Sequence, residues 1–138
     1  MGAEIAKKSI IGEMQETGFF STVDASTMEG KKTLFKALNE SVPLREHVGE
    51  VLSLKNIIIQ EAEVTTEEGD TVTQPRTSLI VEDGTVYAAT SNGIFSSIRN
   101  IINIFGLPST WDGPLKVLVE EKATRRNSMY RYLTLSLV

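Results

Sequence analysis

The residues with the clearest chemical potential stand near the end of the chain. Arg125 and Arg126 are adjacent in a polar run that predicts a turn. Tyr130, Arg131 and Tyr132 follow shortly after it. Guanidinium groups bind phosphate oxygens, and flat aromatic rings stack on nucleobases. Both residue types in one short segment indicate a site for a phosphate-linked chain of bases.

A strand predicted over Met129–Leu137 would position the two tyrosines. Side chains of a strand alternate between its faces, and every second residue from Leu133 to Leu137 is a leucine. Tyr130 and Tyr132 fall on the opposite face. If the leucines point into a core, both rings point away from it.

Weaker candidates for the same contacts are scattered along the chain. They are Tyr87, Phe35, Arg76, Lys55 and Lys116. Lys31 and Lys32 would extend the basic path.

Each candidate also has a structural alternative. Tyr87 would otherwise belong to the core, Phe35 to a second small core, and Tyr132 to a contact under the amino-terminal arm. Arg125 and Arg126 would otherwise serve solubility alone. Residue types and spacing leave these alternatives open.

The charge of the chain is unevenly distributed. The formal net charge is −4, yet the segment Gly113–Val138 is basic, with five Lys or Arg against two Glu, a net +3. The chain before it has a net charge of −7, with several carboxylates in the predicted turn at Glu67–Asp70. A polar protein with one basic end can hold a phosphate chain there and repel it elsewhere.

The order of the predicted elements indicates an all-β protein with one helix. It is the order of a five-stranded OB barrel, with the helix between the third and fourth strands. In that barrel the basic turn is the loop between strands four and five, which commonly touches nucleic acid. The predicted strands are Thr33–Asn39, Val51–Val64, Thr71–Val81, a short Thr85–Ala89, Pro114–Ala123 and Met129–Leu137.

The second strand carries a local signal. Leu52 and Leu54 share one face, whereas Ile57 and Ile59 fall on the opposite parity. A change of parity within one strand predicts a β-bulge near Lys55–Asn56, which would bend the strand around a small barrel.

The helix predicted over Asn92–Phe105 has clear ends. Ser91 can cap its first turn, and Gly106 and Pro108 end it. Its isoleucines recur at helical spacing, so burial must hold it in place, as in a helix that plugs a barrel. Trp111 fits a structural lid on the helix end.

The segment from Met1 to Glu29 is predicted to form a partly flexible amino-terminal arm, and positions 30–138 the binding domain. The apolar side chains of the arm would dock either on the barrel or on a neighbouring copy, which makes the arm the candidate route to a homo-oligomer. They are Ile5, Ile10, Ile11, Met14, Phe19 and Phe20.

Composition narrows the function classes. The chain has no cysteine and a single histidine, His47, so we expect no zinc site. It has no glycine-rich phosphate loop and no serine elbow. We therefore predict no enzyme activity, no cofactor and no small-molecule substrate. We expect no signal peptide, membrane span or membrane partner, and a cytoplasmic location, that of the host cell if the protein is viral.

Three segments resemble the small single-stranded DNA-binding proteins of Bacillus phages with protein-primed replication. They are Ser21–Gly30 with Phe35–Ala37, then Asp83–Ser91 with its Asp-Gly turn and tyrosine, and the ending Leu133–Leu137. Together they cover roughly Ser21 to the carboxyl terminus, in the same order.

The resemblance implies an OB-fold protein that coats displaced single strands during phage DNA replication, without sequence preference. It also implies stacking roles for Tyr87 and Tyr130. The chain departs from the family in the segment Met1–Phe20, in Arg125–Arg126, which replace a more serine-rich turn, and in Trp111.

Two hypotheses follow. The first is a non-enzymatic single-stranded DNA-binding protein that acts through stacking and phosphate contacts. The second is a structural or protein-interaction OB domain, such as a phage assembly factor or a recombination mediator, which the net acidity and the isoleucine-rich arm favour.

Overall fold

The computed structural model describes residues 19–123 and 131–138, which form seven strands, two helices and two short 3-10 turns. The elements in chain order are β1 (Phe19–Ser21), α1 (Met28–Asn39), β2 (Val42–Pro43), a 3-10 turn (Leu44–His47), β3 (Val51–Thr65), β4 (Thr71–Val81), β5 (Val86–Thr90), α2 (Asn92–Phe105), a 3-10 turn (Pro108–Thr110), β6 (Leu115–Ala123) and β7 (Arg131–Leu137).

The strands form one curled half-barrel sheet. Its order is β2-β5-β4-β3-β6-β7, and β1 pairs with β3 beside this path. The β2–β5 pair is parallel, and the other pairs of the described strands are antiparallel. The fold is therefore mixed α/β, and the predicted all-β, five-stranded closed OB barrel is wrong.

The sheet stays open because other elements cover the two strand edges that would have to meet. β2 pairs with β5 through Val42 and Tyr87. At β7, the backbone N–H of Leu135 donates to the Ser97 hydroxyl of α2 at 3.2 Å. Gly93 allows this approach, since a Cβ there would lie 2.1 Å from the Leu133 carbonyl oxygen.

The segment predicted as the first strand, Thr33–Asn39, is the second half of helix α1. The Thr27 hydroxyl caps this helix by accepting from the Gly30 N–H at 3.0 Å. Leu34 and Leu38 are four residues apart and pack on one side with the buried Ala37. In a helix these three apolar side chains lie on one face. In a strand, Ala37 would lie on the face opposite to Leu34 and Leu38.

The bulge prediction for β3 is confirmed. The pairing of β3 with β4 shifts register between Leu54 and Asn56. After the shift, Ile57 and Ile59 join the main core, whereas Ile58 points to the opposite face and joins a smaller second core. β3 is therefore buried on both faces at its centre.

Helix α2 spans the predicted range. The Ser91 hydroxyl accepts from the Ile94 N–H at 3.2 Å, and the helix ends at Gly106 with a φ of 82°. The four isoleucines on its buried side are Ile94, Ile98, Ile101 and Ile102. Each fully buried side chain of this size contributes about 1.5–3 kcal/mol, so packing outweighs the modest helix propensity of isoleucine.

The two helices lie against opposite faces of the sheet. We call the face that packs against α2 and the main core the inner face, and the face beneath α1 the outer face. The second core, between α1 and the outer face, contains Ala37, Ile58, Ile80 and Val86.

The end of the predicted arm is tied to the sheet. Phe20 of β1 is only 2% exposed and lies in the main core. The proposed arm boundary at residue 29 stays a prediction, and residues 1–18 lie outside the described part. In that part, no helix combines the length and apolarity needed to cross a membrane.

Candidate nucleic-acid interface

At the end of the β6–β7 hairpin where the two strands are connected, an aromatic residue lies beside a cation. Tyr132 pairs with Lys122, and both side chains are exposed, Tyr132 by 41%. Directly paired residues have Cβ atoms about 4.5–5.5 Å apart and share a face. The predicted exposure of Tyr132 is confirmed, and Leu133 beside it is buried in the main core. One edge of the Tyr132 ring lies at the first turn of α2, where a Cβ on Gly93 would be 3.2 Å from it.

Arg131 adds a second cation at this end. It is exposed, and its Nε lies 4.0 Å from a carboxylate oxygen of Glu121, which also binds Arg45 at 3.2 Å. Exposed ion pairs of this kind are weak, so Arg131 can exchange its carboxylate for a phosphate at little cost. We call Tyr132, Lys122 and Arg131 the hairpin site, in which Arg131 lies on the other face of β7, the face of Leu133.

Arg125, Arg126 and Tyr130 belong to the segment between β6 and β7. That segment, residues 124–130, lies outside the described residues. Their predicted contacts stay predictions.

Tyr87 lies in surroundings that favour packing over base stacking. It is partly buried against the main core. Its ring packs edge to face on the His47 ring, with the two ring centroids 4.8 Å apart. Burial raises the pKa of Tyr87, and the carboxylates of Glu50 and Asp83 raise it further. These carboxylates line the same cleft and would repel a phosphate.

Phe35 lies on helix α1 rather than on a strand, and it is 70% exposed. Its neighbours Leu34 and Leu38 fill the second core, so the alternative of Phe35 as a core residue is wrong. Lys31 and Lys32, exposed on the same helix, precede it by one turn. The ring remains available for stacking.

Arg76 is a cation held by neutral groups. Its guanidinium donates to Gln60 Oε1 at 3.0 Å and to Ser41 Oγ at 2.7 Å. Within the described part of the chain, none of the ion pairs includes Arg76. Its charge is therefore held in place by neutral groups, without a carboxylate partner among the described residues.

Lys55 and Lys116 lie near the bulge and are both exposed. Lys116 pairs with Ser53 of β3, and Lys55 lines a cleft with Trp111. Trp111 donates its indole N–H to the Gly106 carbonyl at 3.0 Å and packs against the core, which supports its role as a lid on the end of α2.

The structure thus places the described candidates in three groups. Tyr132 and Arg131 lie in the hairpin site, Phe35 and Arg76 lie on the outer side near α1, and the two lysines lie near the bulge. Tyr87 stands apart. Lys122 was not among the predicted candidates, although a turn centred on residue 127 would have paired it with Tyr132.

The arrangement suits the binding of a nucleic acid. The described residues contain no group of three or more His, Cys, Asp or Glu side chains that could hold a metal ion. What the hairpin site offers is a flat ring and exposed cations, the combination that binds bases and phosphates.

One comparison with known proteins identifies a family. The family model described as "Phage Single-stranded DNA-binding protein" matches residues 13–138. No curated protein and no solved structure matches the chain.

Proposed function

Because this chain belongs to the Phi29-type phage single-stranded DNA-binding protein family, a non-enzymatic DNA-binding family, we propose that it coats single strands displaced during phage DNA replication, without reading their sequence. The hairpin site carries the proposal. Stacking on Tyr132 uses the π-face that every base has, and Lys122 and Arg131 bind phosphates.

The charge distribution supports localised contact. Carboxylates outnumber cations in the chain before Gly113, so a phosphate chain is drawn to the carboxyl-terminal hairpin and repelled by acidic turns such as Glu67–Asp70. Arg125, Arg126 and Tyr130, which join the two strands of this hairpin, belong to the same proposal. Lys55 and Lys116 are secondary phosphate contacts in it.

The mechanism combines two contributions. Stacking contributes about 1–3 kcal/mol per base, and each phosphate neutralised by a cation releases counterions. The logarithm of affinity therefore falls with the logarithm of salt concentration, with a slope of about −0.7 per phosphate contact on a single strand.

The direct experiment is a titration of the intrinsic fluorescence with oligo-dT at two salt concentrations. We expect quenching that weakens at the higher salt, and weaker binding of duplex DNA at both. Equal affinity for duplex DNA, or no response to oligo-dT, would contradict the proposal.

A pair of variants assigns the contact to Tyr132. Tyr132→Leu removes the ring and should weaken oligo-dT binding roughly 5-fold to 150-fold, the equivalent of about 1–3 kcal/mol. Tyr132→Phe keeps a ring that stacks and should bind close to the wild type. If both variants bind like the wild type, Tyr132 does not stack on DNA.

We further propose that the protein acts in the cytoplasm of the host cell, where phage DNA replicates, and that its amino-terminal segment associates copies of the chain. The isoleucines at positions 5, 10 and 11 support association. A deletion of residues 1–18 keeps Phe20, which the core needs. We expect the deletion to lower the apparent mass in size-exclusion chromatography, and an unchanged mass would exclude this role.

A further inference from the structure

Helix α1 presents an unusual outward face. Met28 and Phe35, seven residues apart, are 68% and 70% exposed on the side opposite the buried Ala37. Lys31, Lys32 and Asn39 are exposed on the same side. Single exposed apolar residues are common, but here a phenyl ring lies within one turn of two lysines.

Among the described residues, these two lysines have no carboxylate partner, since neither is in an ion pair. Lys36 differs, since it lies near the Gly84 carbonyl at 3.4 Å and interacts with the Asp83 carboxylate, whose pKa is lowered first by hydrogen bonds from Thr85. We therefore count only Lys31 and Lys32 as available cations.

The carboxyl-terminal end of this helix leads to Arg76. Asn39 donates its side-chain N–H to the Phe35 carbonyl at 2.9 Å, which holds it on the exposed side. Two residues later, Ser41 accepts from Arg76. Cations therefore lie at both ends of the exposed face of α1, with the Phe35 ring between them. We call Lys31, Lys32, Phe35 and Arg76 the helix track.

Strand parity relates the helix track to two residues of the hairpin site, Lys122 and Tyr132. Val117 and Val119 point to the inner face, so Lys116 and Lys122, of the other parity, point to the outer one. Tyr132 pairs with Lys122 and shares that side by parity, and its ring also reaches the first turn of α2, where a Cβ on Gly93 would lie 3.2 Å from it. Arg131, of the same parity as Leu133, points to the inner face. Helix α1 covers the outer face of β3, β4 and β5.

We propose that the helix track is a second stretch of the single-stranded DNA path, with a base stacked on Phe35 and phosphates bound by Lys31, Lys32 and Arg76. This inference rests on the proposed function. From Lys32 to Asn39 the helix rises about 10 Å, which spans about three phosphates at duplex spacing and fewer in an extended strand.

A nucleic acid fits this face better than a protein partner does. Lysine is depleted in protein–protein interfaces, whereas cations beside an exposed ring are the recurrent pattern of single-strand binding. The two carboxylates of this helix and its cap, Glu29 and Glu40, lie in its first turn and at its carboxyl-terminal end.

The first test places a reporter on the track. Phe35→Trp adds an exposed indole to a chain whose one native tryptophan, Trp111, packs against the core. Saturation with oligo-dT should quench more fluorescence in this variant than in the wild type. Equal quenching of the two proteins would overturn the proposal.

The second test measures the salt dependence of oligo-dT affinity. Lys31→Ala with Lys32→Ala should reduce the steepness of the salt slope by about 1.4, and Arg76→Gln by about 0.7. Arg99→Ala is the matched control, because Arg99 is an exposed cation on α2 that lies over the Phe95 ring. Its slope should equal that of the wild type. A salt slope equal to that of the wild type in the Lys31→Ala, Lys32→Ala double variant would overturn the proposal.

The outcomes separate this inference from the proposed function. If the wild type binds oligo-dT and Tyr132→Leu weakens binding, while the track variants behave like the wild type, only the helix track is excluded. If the wild type does not bind, both proposals fail. If Phe35→Ala changes the elution volume of the DNA-free protein and leaves oligo-dT affinity unchanged, a second copy of the chain covers this face, and the track is likewise excluded.

Discussion

At the scale of single residues, exposure and charge partners separate candidates that look alike in the sequence. Tyr132 and Tyr87 both lie on strands, yet Tyr132 is exposed beside Lys122 and Tyr87 is packed against His47 among carboxylates. Among the described residues, Arg76 binds the neutral oxygens of Gln60 and Ser41, whereas Arg131 lies near Glu121. The rings and cations that suit DNA are those that the fold leaves uncovered.

The surroundings of Tyr87 predict a pH effect. Burial raises the pKa of Tyr87 above the ordinary 10.0. At pH values between the unfolded-state and the folded-state pKa, the folded protein therefore keeps the phenol proton and the unfolded chain releases it. The stability that Tyr87 contributes is therefore complete below pH 10 and is lost as the pH rises through the folded-state pKa. Urea unfolding below and above pH 10 should show a smaller loss of stability in Tyr87→Phe than in the wild type. Identical losses would mean that Tyr87 ionises as freely as an exposed tyrosine.

Residue-scale prediction from the sequence succeeded where the signal was local. The alternation of leucines after residue 132 was enough to aim Tyr132 outward, and its exposure confirms this. The partners of Arg76 could not be predicted, because Gln60 and Ser41 are 16 and 35 residues away along the chain. Contacts of this kind depend on how the elements pack.

At the scale of elements, the sequence marked α2 and the β3 bulge clearly and α1 poorly. A cap at Ser91 and isoleucines at helical spacing define α2 without any tertiary information. In α1, the apolar residues from position 33 onward fit both the two-residue alternation of a strand and the 3.6-residue repeat of a helix. The deciding signal is the Thr27 cap, which lies outside the window that was taken for a strand.

The contact between α2 and β7 predicts a measurable cost. Gly93→Ala improves helix propensity by about 1 kcal/mol, but its Cβ would lie 2.1 Å from the Leu133 carbonyl oxygen, so α2 must move away from β7. We expect a net destabilisation of about 1–3 kcal/mol in urea unfolding.

Gly113→Ala is the control for this measurement. A Cβ at Gly113 meets no atom within 4 Å, so stability should change by less than about 0.5 kcal/mol. If Gly93→Ala is as stable as this control, the close approach of the helix to β7 does not exist in solution.

At the scale of the whole molecule, closure of the sheet was beyond sequence reasoning. The order of the long strands and of α2 is compatible with a closed barrel, and each predicted strand except the first was placed correctly within a few residues, whereas the short strands β1 and β2 were not predicted. Whether β5 and β7 meet depends on competition with β2 and α2 for their edges, which no local pattern reveals. Family membership, in contrast, was evident from three short segments, and the match over residues 13–138 confirms it.

The whole-molecule account has single-stranded DNA crossing the outer side of an open sheet, with Tyr132 as its best-defined stacking contact. Ultraviolet crosslinking of oligo-dT, followed by mass mapping of the attached peptides, tests this most directly. The account predicts a crosslink at the β7 peptide that contains Tyr132, and its loss in Tyr132→Leu. Crosslinks confined to the β5 peptide that contains Tyr87 would contradict it.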